Sequence, residues 1–382
     1  MPTFTSTSSS KTTTVSDSFA RITFPPEQDE FYADLRKEVS AHFKNAGQTH
    51  FGNRHMHVKV AVMFAVYFGL YACMLSASPS VEMLLVWYAL IGVWGVFLGL
   101  NVGHDAAHFA LFKSRKWNKI FLHVFDLLGT NSFNWKNRHV GAHHLFPNIM
   151  DHDSDIQQSD VVKIFPKDKH RGIHKVQWLY MPVVYMIYIF RWVVYRDFKD
   201  IFSPRIGGFD NRQYPAREIV KMVLFKLGYL GYIVVLPKWM LDYSWGQVFG
   251  AFVFLTVFAS LTITMVLLST HVGEHANFPE PDADGVMPHS WSHHHMLTAG
   301  DFATESALVT HLFGGFNHHV IHHLFQHICH IHYPALTKIL IRLAAEHGVE
   351  YRSEKHMFSA MYSHFKLLYN NGNPMNPELA QP

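Results

Sequence analysis

Three clusters of histidine are the strongest chemical feature of this sequence. We call them box one, box two and box three: His104-Asp-Ala-Ala-His108, His139-Val-Gly-Ala-His143-His144 and His319-Val-Ile-His322-His323. Histidine accounts for 30 of 382 residues, and the boxes lie in apolar, aromatic sequence instead of a low-complexity tract. A metal site is therefore the first hypothesis, whereas isolated histidines such as His42, His170 and His356 need no functional explanation.

The spacing within the boxes indicates how the imidazoles can share metal ions. Residues four apart project from one face of a helix, which predicts three pairs: His104 with His108, His139 with His143, and His319 with His323. His144 and His322 adjoin these pairs and direct each cluster toward a second position. Eight imidazoles exceed the four ligands of one tetrahedral zinc and divide naturally between two ions. Imidazole suits iron, zinc and copper alike, so the ligand type does not name the metal.

Long apolar segments must position these boxes. The composition is 49% hydrophobic and 16% charged, and the apolar residues fall into blocks of about 20, the length of a membrane-spanning helix. We predict four spans, over about residues 58–77, 81–100, 219–236 and 248–269. Lys221 and Lys226 in the third span are expected to reach the headgroups. Residues 179–195 are also apolar, but Pro182 and Arg191 favour an interfacial helix over the alternative of a fifth span.

The basic residues predict the orientation in the membrane. The segment Asn101–Arg217 carries 17 Lys and Arg, whereas the two short connections on the other side contain only Lys238. By the positive-inside rule, both termini and all three boxes face the cytoplasm. The predicted fold is therefore all-α and integral to the membrane, with four transmembrane helices and a helical cytosolic cap that holds a dinuclear metal site.

This interpretation divides the chain into three parts. Residues 1–50 form an N-terminal cytosolic segment, of which the first 20 or so are expected to be disordered. Residues 51–345 form the membrane domain, and residues 346–382 form a C-terminal cytosolic tail. Two cysteines, Cys73 and Cys329, provide no disulfide framework. Membrane lipids are expected partners, and nucleic acid is not.

The boxes, interleaved with two membrane hairpins, resemble those of the membrane fatty acid desaturase and hydroxylase superfamily. The flanking sequence is most similar to the acyl-lipid and front-end branch, which includes delta-5 and delta-6 desaturases. It comprises Trp135, Asn148 and Asp153-Ser-Asp155-Ile around box two, His271-Val-Gly-Glu274 after span four, and Gly314-Gly-Phe-Asn317 before box three. The similarity covers about residues 50–340. Two positions depart from the branch: His319 stands where front-end members commonly have glutamine, and Gln326 replaces a usual proline.

The resemblance implies a non-haem di-iron centre that uses dioxygen. Its ligands would be the eight box histidines and His271, a ninth ligand for which the rivals are His275, His293, His294 and His295. His295 stands where relatives commonly have glutamine, which favours a supporting role for it. The residues expected to orient the ligands are Asp105, Asn148, Asp153, Asp155, Glu274 and Asp301.

The implied activity is the insertion of a cis double bond into the acyl chain of a lipid or thioester. A hydroxylase on the same scaffold is the alternative. A histidine-rich metal transporter is a third reading, although transporters place their ligands near the bilayer midplane. An apolar tunnel should hold the acyl chain, and its candidate walls are Phe97, Phe109, Phe133, Trp135, Phe313 and Phe316. The sequence contains no His-Pro-Gly-Gly haem motif, so the electrons are expected from a separate carrier such as ferredoxin or cytochrome b5.

Overall fold

The computed structural model describes residues 22–27, 30–156 and 159–374. The disorder expected for residues 1–20 lies outside these ranges. Most of the described chain is helical, and the strands are two residues long. They are β1 (Arg205–Ile206) antiparallel to β2 (Phe209–Asp210), and β3 (Asp301–Phe302) parallel to β4 (Ser353–Glu354).

The helices of the first half carry boxes one and two. They are α1 (Phe31–Asn45), α2 (Arg54–Ser76), α3 (Val81–Leu98), α4 (His104–Ala107), α5 (Arg115–Leu122), α6 (Val124–Leu127) and α7 (Ser132–Arg138). The helices α3 and α7 continue as π-helical turns, in which a backbone N–H bonds the carbonyl oxygen five residues earlier. These turns cover Gly99–Gly103 and His139–His143.

The second half carries box three. Its helices are α8 (Gln177–Met186), α9 (Tyr188–Arg191), α10 (Asp197–Phe202), α11 (Ala216–Leu230), α12 (Leu236–Met240), α13 (Trp245–His271), α14 (Trp291–Thr298), α15 (Ala307–Leu312), α16 (His319–Leu324), α17 (Tyr333–Glu346) and α18 (Met357–Gly372). Short 3₁₀ turns cover Gly172–Val176 and His330–His332, and π turns cover Trp192–Arg196 and Gly231–Val235.

Four helical stretches of the described chain are long and apolar enough to cross a membrane, which confirms the predicted number. They are Arg54–Ser76, Val81–Ala107, Ala216–Met240 and Trp245–His271. Each begins a few residues before the predicted span or at its first residue, because polar caps such as Asn53 and Ser244 start the helix before the apolar run. Spans two and four pack closely, since a Cβ added to Gly92 would lie 2.5 Å from the carbonyl oxygen of Leu255.

The segment predicted as an interfacial helix is bent. The stretches Gly172–Met186 and Tyr188–Phe202 meet at 62°, and together they also satisfy the length and hydropathy of a span. The interfacial placement and the fifth span both remain compatible with this geometry. After residue 345, α18 packs Leu367 and Leu368 into a cluster with Tyr185 and Val272, so the predicted C-terminal tail contains a helix that belongs to the packed body.

The expectation for Lys226 is wrong. Its side chain does not reach the headgroups but is buried, with Nζ 2.8 Å from Asp197 Oδ2 and within 2.9 Å of the carbonyl oxygens of Gly129 and Val193. The ammonium of Lys226 pairs with the buried carboxylate of Asp197 and not with headgroups, and this ion pair connects span three to α10. Lys221 is exposed and pairs with Glu218.

We predict that Lys226→Met destabilises the protein by about 3–5 kcal/mol, because it leaves the carboxylate of Asp197 buried without its cation. Equilibrium unfolding in mixed micelles titrated with sodium dodecyl sulfate measures the free energy of unfolding. Lys221→Met is the matched control and should cost less than about 1 kcal/mol, since Lys221 is exposed and its partner Glu218 keeps a second cation in Arg217. Equal losses for the two variants would contradict the assignment.

Candidate metal centre

Box one lies at the end of span two. The π turn Gly99–Gly103 leads into α4, which places His104 and His108 on one side of the chain end. The amide of Asn101 holds this end in place by donating to the carbonyl oxygens of Phe97 and Leu312, at 2.8 and 2.7 Å. The loop before box three approaches the same end closely: Gly314 has φ +60°, and a Cβ there would lie 2.6 Å from the Leu100 carbonyl oxygen. Only glycine accommodates that conformation and approach without strain.

Box two continues α7 as a π turn. The amide N–H of His144 donates to the carbonyl oxygen of His139 at 2.9 Å, five residues back, and the Nε2 atoms of these two residues lie 3.1 Å apart. The rings of His139 and His143 stack with their centroids 5.4 Å apart, so these two residues also share a face. Their nitrogens nevertheless fall in two adjacent clusters, which the four-residue spacing allows.

Box three forms the short helix α16, and His271 ends span four beside it. His319 Nε2 lies 2.8 Å from His271 Nε2 and 3.1 Å from His323 Nε2. His322, on the other side of α16, has its Nε2 3.0 Å from His144 Nε2. The structure thus brings His271 into contact with box three, as expected of a ninth ligand.

The nine histidines form two groups in which one side-chain nitrogen of each lies within 4.8 Å of the others. Group one is His104, His108, His139, His144 and His322, and group two is His143, His271, His319 and His323. All nine are buried. Every box contributes to one or both groups, so the centre forms only when the chain is folded.

The nitrogens of each group are arranged as if around a cation. His139 and His271 donate their Nδ1 protons to Asp155 and to the Thr298 carbonyl oxygen, at 3.1 and 2.8 Å, so their Nε2 atoms carry bare lone pairs. Nevertheless His139 Nε2 lies 3.1 Å from the Nε2 atoms of both His104 and His144. Neighbouring nitrogens bound at about 2.1 Å to one ion come about 3 Å apart. The residues therefore fit one metal ion in each group.

Polar groups behind the imidazoles fix their orientation. Asp153 Oδ2 accepts from His143 Nδ1 at 2.9 Å and Asp155 Oδ2 accepts from His139 Nδ1. Both carboxylates are among the residues expected to orient the ligands. Asn148 holds the backbone, since its amide donates to the carbonyl oxygen of His271 at 3.1 Å. Such partners set the tautomer of a ligating histidine and strengthen the ligand.

Burial favours the uncharged, metal-binding form of the imidazoles in both groups, although its effect is outweighed at His143. It lowers the pKa of His139 to about 4, even though Asp155 acts in the opposite direction. Burial, with neighbouring imidazoles second, holds the pKa of His144 and His323 well below its usual range. For His143 burial is again the largest single influence, but the charge and hydrogen bond of Asp153, together with the charge of Asp155, exceed it and raise the pKa.

Of the other expected supporting residues, Asp301 and Glu274 bind partners outside both groups, and Asp105 lies beside His104. Asp301 accepts from the backbone N–H of Val320 at 2.8 Å and therefore caps α16. Glu274 pairs with Lys366 at 2.6 Å. Asp105 accepts from His330 Nδ1 at 2.8 Å, and its other oxygen is 3.9 Å from His104 Nδ1.

The rivals of His271 do not belong to either group. His275 is exposed, and His294 Nε2 donates to the Pro147 carbonyl oxygen at 2.8 Å. His295 Nδ1 lies 3.1 Å from His323 Nδ1, behind the face that joins group two, which is the supporting position expected for it. His293 stacks on Phe31.

Two supporting contacts were not predicted from the sequence. The hydroxyl of Tyr333 lies 2.9 Å from His322 Nδ1, and the carbonyl oxygen of Thr298 accepts from His271. Neither belongs to a motif. The Thr298 contact uses a backbone carbonyl, which every residue type has, so the sequence cannot indicate it. Tyr333 lies 11 residues after His322, beyond the turn that follows α16, so local spacing does not link the two.

An apolar pocket of about 950 Å³ opens from group one into the membrane bundle. His104 and His139 line one end, and Tyr67 and Ile91 lie at the other, about 20 Å away along span two. Of the predicted walls, Trp135 and Phe316 line it. The other four do not line it in the described chain, where Phe97 packs on Phe313, Phe133 on Tyr214, and Phe109 under Lys136.

Comparison with known proteins agrees with this arrangement. A family model described as "Fatty acid desaturase" matches residues 79–355. The chain is 30% identical over 350 residues to the sn-1 linoleoyl-lipid 6-desaturase of Synechocystis sp., covering 91% of this chain and 97% of that protein. It is 28% identical over 348 residues to the acyl-lipid (8-3)-desaturase of Physcomitrium patens, covering 91% and 72%. It is 26% identical over 364 residues to the probable Delta(5) fatty acid desaturase C of Dictyostelium discoideum, covering 92% and 78%. The chain therefore belongs to the fatty acid desaturase family of membrane oxidoreductases.

Proposed function

We propose that this protein desaturates an acyl chain carried by a membrane lipid, with two iron ions held by the nine histidines. The convergence of bare Nε2 atoms in two buried groups carries the proposal. His104, His108, His139, His144 and His322 would hold one ion, and His143, His271, His319 and His323 the other. When bound, the iron pair supplies the redox capacity to reduce dioxygen to water while two hydrogens leave the acyl chain.

The protein's own residues prepare that chemistry. Asp153 and Asp155 hold the imidazoles of box two in the tautomer that leaves Nε2 free. The apolar pocket excludes water and can hold an extended acyl chain with one segment beside group one. We propose a lipid-attached acyl chain as the substrate, in preference to a thioester, because the relatives are named as lipid or acyl-lipid desaturases.

The surface near box one suits an acidic electron carrier on the cytoplasmic side. Within the described residues, no carboxylate pairs with the cations that surround box one: Lys113, Arg115, Lys116, Lys119 and Lys136. Lys136 Nζ lies 4.3 Å from the ring centre of Phe109, the residue that follows His108. A ferredoxin or cytochrome b5 with an acidic face would be attracted to this region, and the same cations favour the cytoplasmic side.

The first test is expression in a host of simple lipid composition. We expect new unsaturated fatty acids, located by mass spectrometry after derivatisation of the double bonds, and we expect them to vanish in His143→Ala because group two loses a ligand. His275→Ala is the matched control, since His275 is close in sequence to His271 but exposed. Hydroxy acids in place of alkenes would indicate a hydroxylase. Unchanged lipids with tight zinc binding would contradict both activities.

Asp155→Asn tests the support of box two. The amide carries no charge to stabilise the His139 N–H, so the affinity for iron should fall by about 10–100-fold. The measurement is the iron content of purified protein after dialysis against graded concentrations of a chelator. Asp160→Asn, which alters an exposed ion pair, should retain iron as the wild type does. Equal retention in Asp155→Asn would show that this carboxylate does not support the metal.

Gly99→Leu tests the acyl pocket. A Cβ at Gly99 would meet Leu128 and Phe125 at 3.5 and 3.7 Å, which is ordinary contact, so the longer side chain should extend into the pocket. Conversion should fall at least about tenfold because the acyl chain is displaced, while the iron content stays constant. Gly250→Leu, where a Cβ meets nothing within 4 Å, is the control. Full activity of Gly99→Leu would place the acyl chain elsewhere.

A further inference from the structure

A second pocket, of about 980 Å³, lies near box one and is rich in basic side chains. Its lining includes His55, Lys59, His311, His330 and Lys338, against a single carboxylate from Glu305. None of these residues belongs to either metal group. The excess of positive and imidazole groups distinguishes this pocket from the apolar one that opens from group one.

Lys59 is the unusual member of the pocket. Only 6% of its surface is exposed, and its Nζ lies 3.1 Å from His330 Nε2. His330 donates its Nδ1 proton to Asp105 at 2.8 Å, so its Nε2 accepts from the lysine. Within the described residues, the other two N–H groups of the ammonium have no acceptor. The carboxylate of Asp105 reaches the ammonium only through the ring of His330, so an anion in the pocket would be its first direct anionic partner among the described residues.

The pocket lies at the depth of the lipid headgroups. Lys59 is five residues, or about 8 Å, from the start of span one at Arg54. Val58 and Val62 on the same helix turn exposed apolar side chains outward, as expected where the span enters the hydrocarbon core. On the rim, Ile341 lines the pocket and is itself exposed.

We propose that this pocket binds a phosphate-class anion, with Lys59 as the buried donor and Lys338 as the exposed one. The oxygens of a phosphate would accept the two unfilled N–H groups of Lys59 as charge-assisted hydrogen bonds. The phosphate of a glycerolipid headgroup and free phosphate share this chemistry. If the anion is a lipid phosphate, the pocket anchors the headgroup of an acyl-lipid near box one, and that last step rests on the proposed function.

Binding can be measured on the iron-loaded protein without turnover. The purified full-length chain is equilibrated with micelles containing equal amounts of phosphatidylglycerol and monogalactosyldiacylglycerol, and retained lipid is counted by native mass spectrometry. Inorganic phosphate is titrated separately and followed by the broadening of its phosphorus resonance. The variants are Lys59→Met, which keeps the side-chain volume, and Lys338→Gln, which is exposed and carries little folding risk. The control is His57→Gln, because His57 lies two residues from His55 but stacks on Phe112 outside the pocket.

A lipid phosphate would be supported if the wild type retains phosphatidylglycerol preferentially. This retention should fall about tenfold in Lys59→Met. It should also fall in Lys338→Gln but not in His57→Gln. Broadening of inorganic phosphate that is lost in Lys59→Met, without a lipid preference, would support a site for free phosphate. Neither signal in the wild type, or binding unchanged in both lysine variants, would overturn the proposal. A chain that binds phosphate but makes no alkene would refute the desaturase proposal alone, and the reverse result would refute this one alone.

Discussion

Buried imidazoles whose nitrogens converge in two groups are the constraint on which the rest of the structure depends. Seven of the nine rings have a nitrogen about 3 Å from a nitrogen of another ring. Asp155 and the Thr298 carbonyl hold the protons of His139 and His271 on the far side of those rings, so their Nε2 lone pairs face the neighbouring nitrogens. Lone pairs at this distance repel one another unless a proton or a cation lies between them, and one metal ion in each group would satisfy all the ligands of that group. Metal binding and folding are coupled in such a site, because the ligands meet only in the folded chain.

The membrane spans satisfy this constraint by fixing where the boxes begin. His104 lies in the last turn of span two, which runs to Ala107, and span four ends at His271. Box two has no span of its own, and buried ion pairs hold it instead. Lys226 in span three pairs with Asp197 at the start of α10, and Asp200 in the same helix pairs with Arg138, the residue before His139. Removing the charge of Lys226 should therefore disturb box two, because α10 connects Lys226 to Arg138 through the two ion pairs.

The sequence predicted the parts of this design that depend on local composition. Apolar runs of about 20 residues gave the right number of spans, and histidine spacing identified the chain segments that meet. The errors arose where the outcome depends on tertiary packing. A distant carboxylate buried Lys226. The spacing also left open which histidines share an ion, and the π turn brings His139 and His144 into one group with His143 in the adjacent one. Four of the six aromatic residues expected to line a tunnel pack elsewhere, because residue type alone does not say which face of an element meets a cavity.

The two metal groups have different surroundings, and this bears on box three. His104 and His139 of group one line the apolar pocket, whereas His271 of group two lines a polar cleft of about 1010 Å³ that also includes Asp301 and Arg352. In the proposed function, a hydrocarbon chain and water would therefore approach the centre from different sides. His319, the residue that departs from the front-end pattern, belongs to group two and does not line the apolar pocket in the described chain. The position at which an acyl chain is oxidised should then depend on the shape of the apolar pocket and on where the headgroup is held, and not on the first residue of box three.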